Sequence, residues 1–387
     1  METKQTRLQV VDALRGFAIV SIMLLHNIEH FDFYFTPANR PDWMIPIDKG
    51  IWDTLFFLFG GKSYAIFALL FGLTFFIQYD NQERKGRDFR PRFAWRMLLL
   101  IGFGILNSAF YQGDILLIYA LIGFFILPFA RLSNKLVFWS AVVLMAQPFE
   151  WYNVFSGLQS PPLPINDPLS WSYFGKANEY IPGSSISDTI IGNLTNGKKA
   201  VFLWTWEQGR VFQTLSLFLL GMLAGRKALF SQSENNRKFW IKALITASIL
   251  FIPLFVFKSN IHIESEAIRR PLQTIITSWS NMAFMIALVS VFTLLFWSKS
   301  FYKVLNYLSP FGRMSLSNYI IQSVIGSFIY YGFGLGLYQY TGATYSLIIG
   351  IILALLQGMF STWWMKRHPQ GPSKPFGTKQ PGYKKPC

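Results

Sequence analysis

The chain has one cysteine, Cys387, and it is the last residue. An internal disulfide and a cysteine-ligated metal cluster are therefore excluded. Charge is also scarce: 14% of the 387 residues are Asp, Glu, Lys or Arg, against about 25% in a soluble domain. Acidic residues are the scarcer sign, 19 against 35 basic. No small-x-small site follows the first apolar run, so that run is expected to be retained as an anchor rather than cleaved. The glycines at Gly332, Gly334 and Gly336 end an apolar run instead of following a strand, which argues against a phosphate loop.

What the chain does have is apolar. Hydrophobic residues make up 52% and aromatics 18%, and mean hydropathy is +0.33. Long apolar runs recur from end to end. The expected fold class is an all-α integral membrane protein with about ten transmembrane helices. These fall near 10–28, 62–79, 95–111, 115–130, 136–154, 211–225, 240–257, 279–297, 314–335 and 345–365. Together they form one polytopic domain over 1–365. A large outer loop is expected at 155–210, and a basic cytoplasmic tail at 366–387 whose composition predicts disorder. Ile51–Phe59 is apolar but too short to span, and reads as interfacial or re-entrant.

The Lys/Arg distribution sets an orientation. With the N-terminus inside, the cytoplasmic segments hold 23 basic residues and the outer segments 10. This bias predicts N-in, C-in. It also accounts for the net charge of +16 without nucleic acid, because the basic loops would face anionic membrane lipids.

The most informative stretch is RLQVVDALRGFAIVSIMLLHNIEH, residues 7–30. It reads as a first membrane helix with Asp12 and Arg15 near its start and His26, Glu29 and His30 near its finish. Arg15 and His26 are eleven positions apart, so they share one helix face with a rise of about 16 Å. Arg15 alone is open to a plainer reading, as an anchor snorkelling to the headgroups. Five ionisable groups on one short helix point instead to function, since intramembrane charge is costly.

Other polar residues extend the candidate site. His26 suits a general base. Asp114, at the start of the fourth expected helix, would orient it or cap that helix; Glu29 is the nearer alternative. Arg313 and Asn318 open the ninth helix with hydrogen-bond donors suited to phosphate. Glu207 and Arg210 would pair with each other or touch substrate. Asn107, Gln213 and Asn281 read as helix-to-helix hydrogen bonds, and Gly102, Gly104, Gly221 and Gly225 as close-packing positions. Residues 26–30 also spell H-x-x-E-H. Through His26 and His30, with His262 or Glu264 as third ligand, they would hold zinc. No further acidic motif supports this, and no metal is expected.

Three stretches carry a resemblance: VDALRGFAIVSIMLLHNI near the start, GDILLIYALIGF at 113–124 and GRMSLSNYIIQS at 312–323, with IFALLFGLTF at 66–75. They resemble the YeiB-like family of bacterial multi-pass membrane proteins, a domain of unknown function. That family is distantly similar to transmembrane acyltransferases such as heparan glucosaminide N-acetyltransferase and bacterial sugar O-acetyltransferases, the latter through an R-x10-H pattern that Arg15 and His26 match. The position of His26 is Asn in many YeiB-like chains.

The resemblance implies a transferase that moves an acyl group from cytoplasmic acyl-CoA (acetyl-CoA) to an envelope glycan or glycolipid. Arg15, Arg313 and Asn318 would bind the donor. His26, with Asp114 or Glu29, would do the chemistry. The implied location is the bacterial cytoplasmic (inner) membrane. The alternative is a multi-pass transporter of a small anionic or proton-coupled substrate lined by the same charged stripe. The oligomeric state stays open.

Overall fold

The first helix stops abruptly, and the rest of the fold is packed around it. In the computed structural model, which describes residues 8–159, 167–368 and 371–372, α1 runs from Gln9–Ile28. His30, Phe31 and Asp32 then adopt positive φ angles of 48°, 56° and 62°. Three successive non-glycine residues in the left-handed region are costly and need strong support from their surroundings. Here Phe31 is fully buried and its carbonyl accepts a 2.7 Å hydrogen bond from the Tyr331 hydroxyl.

The chain continues through α2 (Met44–Phe59), α3 (Lys62–Glu83), α4 (Arg90–Phe110) and α5 (Leu116–Phe124). After α6 (Asn134–Met145) and α7 (Pro148–Gln159) come the short helices α8 (Leu169–Gly175), α9 (Ala177–Tyr180), α10 (Ile186–Gly192) and α11 (Lys198–Glu207). Then follow α12 (Arg210–Arg226), α13 (Glu234–Ser259), α14 (Glu266–Phe296), α15 (Lys299–Asn306), α16 (Ser309–Arg313), α17 (Ser315–Tyr330) and α18 (Ala343–Arg367).

The fold is all-helical among the described residues. Six segments are long and apolar enough to cross a membrane: α1, Met44–Glu83 (α2 with α3), α4, α13, α14 and α18. The other expected spans are shorter or interrupted. The segment expected at 115–130 passes from α5 into a 3-10 turn at Leu127–Arg131. The one at 136–154 is broken where Gln147 takes a φ of 61°. At 17 and 16 residues, α12 and α17 are close to the minimum for a span. The Ile51–Phe59 run lies inside α2, which meets α3 at the glycine pair 60–61. Residues 167–210, expected as loop, are largely helical. Of the expected tail, Lys366 and Arg367 close α18, and 369–370 and 373–387 lie outside the described residues.

Burial grades outward. α1 is enclosed, whereas α13 and α18 present exposed apolar ladders, among them Ile245, Ile249 and Ile252, and Ile348, Ile352 and Leu355. Such ladders are stable where the surroundings are lipid. Two glycine contacts hold the centre. A Cβ on Gly16 would run into the Leu308 carbonyl, and one on Gly312 into the Asp12 carbonyl, so α16 lies against α1 backbone to backbone. Gly221 and Gly225 form the expected close seam, against Leu69 and Phe76 of α3. Gly104 packs on Leu117, but Gly102 faces open space and is not a packing position.

Candidate functional site

Two cavities flank the middle of α1. The first, of about 460 Å³, lies at the Arg15 end. Arg15 of α1, Arg92 and Arg96 of α4 and Arg313 of α16 line it, and Asp12 is the one carboxylate among its lining residues. Arg15 Nη1 stands 3.4 Å from Asp12 Oδ1, and its Nη2 donates to the Thr74 hydroxyl of α3. Arg96 donates to the Gln78 side chain. Arg313 reaches this cavity because Gly16 and Gly312 let α16 close on α1. Four guanidinium groups facing one carboxylate suit an anion carrying several charges.

The second cavity, of about 890 Å³, lies at the His26 end. On one wall is a hydrogen-bonded cluster. His26 Nδ1 is 3.2 Å from Glu29 Oε2, and the Tyr111 hydroxyl is 3.0 Å from the same nitrogen and 3.3 Å from Nε2. The Tyr34 hydroxyl donates to Glu29 Oε1 at 3.1 Å. The left-handed turn after α1 brings Asp32 into this group. Desolvation by the surrounding protein and the like charge of Glu29 together push the Asp32 carboxyl up to about 7 despite the opposing pull of His26, Tyr111 and Lys198. His26, Glu29 and Asp32 each offer a ligand atom, all within 4.8 Å of one another, a spacing that a divalent ion could use. The same cavity is also lined by Lys62, Arg210 and Lys258 and by phenylalanine and tryptophan rings.

The two cavities share Ile22, Ile115, Tyr119 and Tyr319 as lining residues. Ile22 is one turn before His26 and two turns after Arg15, on the same face of α1. The partition between the cavities is therefore a few side chains thick, and α1 passes alongside both.

The structure does not bring every expected residue here. Asp114 is fully buried on α4 and α5, not on His26: it accepts from Asn107 at 2.9 Å and from the Leu117 amide at 3.3 Å. It is the cap of α5. Asn318 is likewise structural. Its side-chain amide donates to the Phe311 carbonyl at 3.1 Å and to Ser361 at 3.0 Å, and Gln357 donates to its backbone carbonyl at 2.9 Å. It clamps α16, α17 and α18 and does not line the Arg313 cavity.

The H-x-x-E-H geometry also fails. His30 turns away from His26, with Nε2 3.1 Å from Ser346 Oγ and 3.2 Å from Thr341 Oγ1. His262 and Glu264 line neither cavity. Glu207 and Arg210 do not pair: Glu207 accepts from the Ser170 amide at 3.3 Å, and Arg210 lies between the rings of Tyr64 and Trp204, 4.7 and 4.4 Å from their centroids.

Sequence reasoning missed Asp32, Tyr111, Lys62, Arg92 and Arg96 as site residues. The last two carried a usable signal. They stand four apart at the start of an apolar helix, which puts both on one face, yet they were counted only as loop charges. Nothing local marks Asp32 or Lys62.

Residues 224–374 match the family model described as protein of unknown function (DUF418). The chain is homologous over nearly its whole length to two uncharacterized proteins. It is 26% identical over 386 residues to YxaH of Bacillus subtilis, covering 95% of this chain and 92% of the relative. It is 26% identical over 372 residues to YeiB of Escherichia coli, covering 94% and 93%. An uncharacterized 39.9 kDa protein of Bacillus acidopullulyticus is 28% identical over 159 residues, covering 41% of this chain and 43% of its own. No solved structure matches. The YeiB-like resemblance therefore holds, and the chain is similar to proteins whose function is unknown.

Proposed function

We propose that the chain is a membrane-embedded acyltransferase that takes an acyl group from acyl-CoA on one side of the membrane and passes it to a hydroxyl or amine on the other. The observation that carries this reading is the pair of cavities back to back on α1: one lined by arginines, the other by an acid–base cluster, with a shared partition between them. A donor and an acceptor entering from opposite faces would meet there. The 23-to-10 bias of basic residues supports an orientation with the Arg15 end in the cytoplasm, where acyl-CoA is found. The same bias supports both termini inside and hence an even number of spans; ten spans in the bacterial inner membrane are part of this reading.

Arg15, Arg92, Arg96 and Arg313 would hold the phosphates of the donor. His26, oriented at Nδ1 by Glu29, would take the proton from the acceptor hydroxyl. The acceptor oxygen then bonds the acyl carbon, the carbon–sulfur bond breaks, and CoA leaves as a thiolate that picks up a proton. Tyr111 stands close enough to donate to the oxyanion in the transition state. No step calls for a metal.

The same back-to-back cavities also favour a second reading, alternating access in a transporter of a small anion. Sealed vesicles separate the two. Turnover of acetyl-CoA supplied on the Arg15 side supports transfer, and substrate uptake without any acyl turnover supports transport.

A further inference from the structure

The second cavity carries more positive charge than its protein surroundings use. Lys62 opens α3, Arg210 opens α12 and Lys258 closes α13, so three separate helices deliver cations to one cavity. None of the three has an ion-pair partner among the described residues. Lys62 is only 8% exposed. Its ammonium sits 5.9 Å from the Phe57 ring and 5.5 Å from the Phe284 ring, and its one hydrogen bond is a long one, 3.4 Å, to the Phe56 carbonyl. An ammonium has three donors and a guanidinium five. Arg210 spends its faces on Tyr64 and Trp204, which leaves edge donors for the cavity. Lys258 and Arg210 both act repulsively on Lys62. Holding three like charges together at an apolar wall is unfavourable unless an anion arrives to pair with them.

The other walls say what kind of anion. On the α2–α13 side the cavity is closed by phenylalanines, with the Phe57 ring 6.2 Å from Phe251 and 5.5 Å from Phe255. Phe57 is 40% exposed and α13 is mostly exposed along its apolar length. Lys62 thus stands against a ring seam on the outer, exposed side of the bundle, with Arg210 and Lys258 lining the same cavity. A soluble anion would have no use for that seam, whereas a chain attached to the anion would lie in it.

We infer that the second cavity binds an anionic amphiphile, a lipid-borne phosphate or carboxylate held by Lys62, Arg210 and Lys258 with its chain against the Phe57–Phe251–Phe255 seam. Within the acyltransfer reading, on which only this assignment of role depends, that molecule is the acyl acceptor: the cations fix its charged group and leave a hydroxyl to face His26 and Glu29.

Binding is tested without any donor, so its failure is separate from failure of acyl transfer. The purified full chain in detergent is titrated with phosphatidylglycerol, phosphatidylcholine or glycerol 3-phosphate, and bound lipid is counted by native mass spectrometry. The expected result is saturable phosphatidylglycerol binding near one per chain, at least 10-fold tighter than phosphatidylcholine. Binding should weaken at least 10-fold in the Lys62→Gln, Arg210→Gln double variant and persist in the charge-retaining Lys62→Arg, Arg210→Lys variant. If the double variant does not fold, Lys258→Gln, at the exposed rim, should weaken binding several-fold in folded protein. Equal binding of the two lipids, or full phosphatidylglycerol binding by folded neutral variants, overturns the anion site. Displacement of phosphatidylglycerol by an equal concentration of glycerol 3-phosphate overturns the amphiphile and leaves a site for soluble phosphate.

Discussion

Glu29 Oε2 lies 3.2 Å from His26 Nδ1, one turn along at the end of the same helix. In the proposed reaction Glu29 holds the imidazole with its other nitrogen toward the acceptor. Glu29→Gln keeps the shape but loses the charge. Acyl transfer should fall by roughly 100-fold, the lower end of what positioned acid–base groups contribute, with little change in the KM for acetyl-CoA. Steady-state kinetics on membranes at matched expression check this.

The arginine cavity should behave as a donor site. Charge-assisted hydrogen bonds contribute about 1.5–3 kcal/mol each, so Arg15→Gln or Arg313→Gln should raise the KM for acetyl-CoA by about 10-fold or more. The effect should shrink as added salt weakens the wild type. A titration of acetyl-CoA at two ionic strengths reads it.

Gly312 and Asn318 make opposite predictions although both make close contacts that hold α16. A methyl on Gly312 meets the Asp12 carbonyl, so Gly312→Ala should push α16 off α1 and weaken donor binding as well as stability. Asn318→Ala removes the side-chain partner of buried Ser361 and the donor to the Phe311 carbonyl. It should cost about 1–3 kcal/mol of stability and leave the KM of the folded fraction unchanged. Thermal unfolding in detergent beside the KM separates the two.

His30 gives a pH dependence of stability. Burial lowers its pKa from 6.5 to about 4. Between those values the unfolded chain binds the proton and the folded one does not, so stability is full above about 6.5 and lost as pH falls toward 4. The shift corresponds to at most about 3 kcal/mol. Replacing His30 with Gln should flatten the fall in melting temperature between pH 7 and pH 5.

What was legible in the sequence was what helix geometry dictates. Eleven residues put Arg15 and His26 on one face of α1, and the spacing of Gly221 and Gly225 announced a close seam. Asp114 stayed open between cap and catalytic partner, and Asn318 was taken for a donor-binding residue, because a polar residue at a helix start looks the same whether it caps, clamps or binds. Asp32 was invisible because a left-handed turn of three non-glycine residues has no sequence signature. The cation-lined cavity was invisible too. Lys62, Arg210 and Lys258 sit at the ends of three helices that meet only in the folded bundle; along the chain Lys62 and Lys258 look like loop charges, and Arg210 looks like a partner of Glu207 or a lone substrate contact. The helices at 169–207 were hidden by polar composition, since their burial comes from packing against neighbours rather than from their own apolar periodicity.

The central claim is acyl transfer through His26. Membranes carrying the wild-type chain or His26→Ala, at matched expression, are incubated with acetyl-CoA labelled in the acetyl group, and the label is traced in protein, lipid and glycan. The account predicts label in a lipid or glycan fraction with wild type, and its loss with His26→Ala. Label in no fraction from folded wild-type protein, or undiminished transfer by His26→Ala, would contradict it.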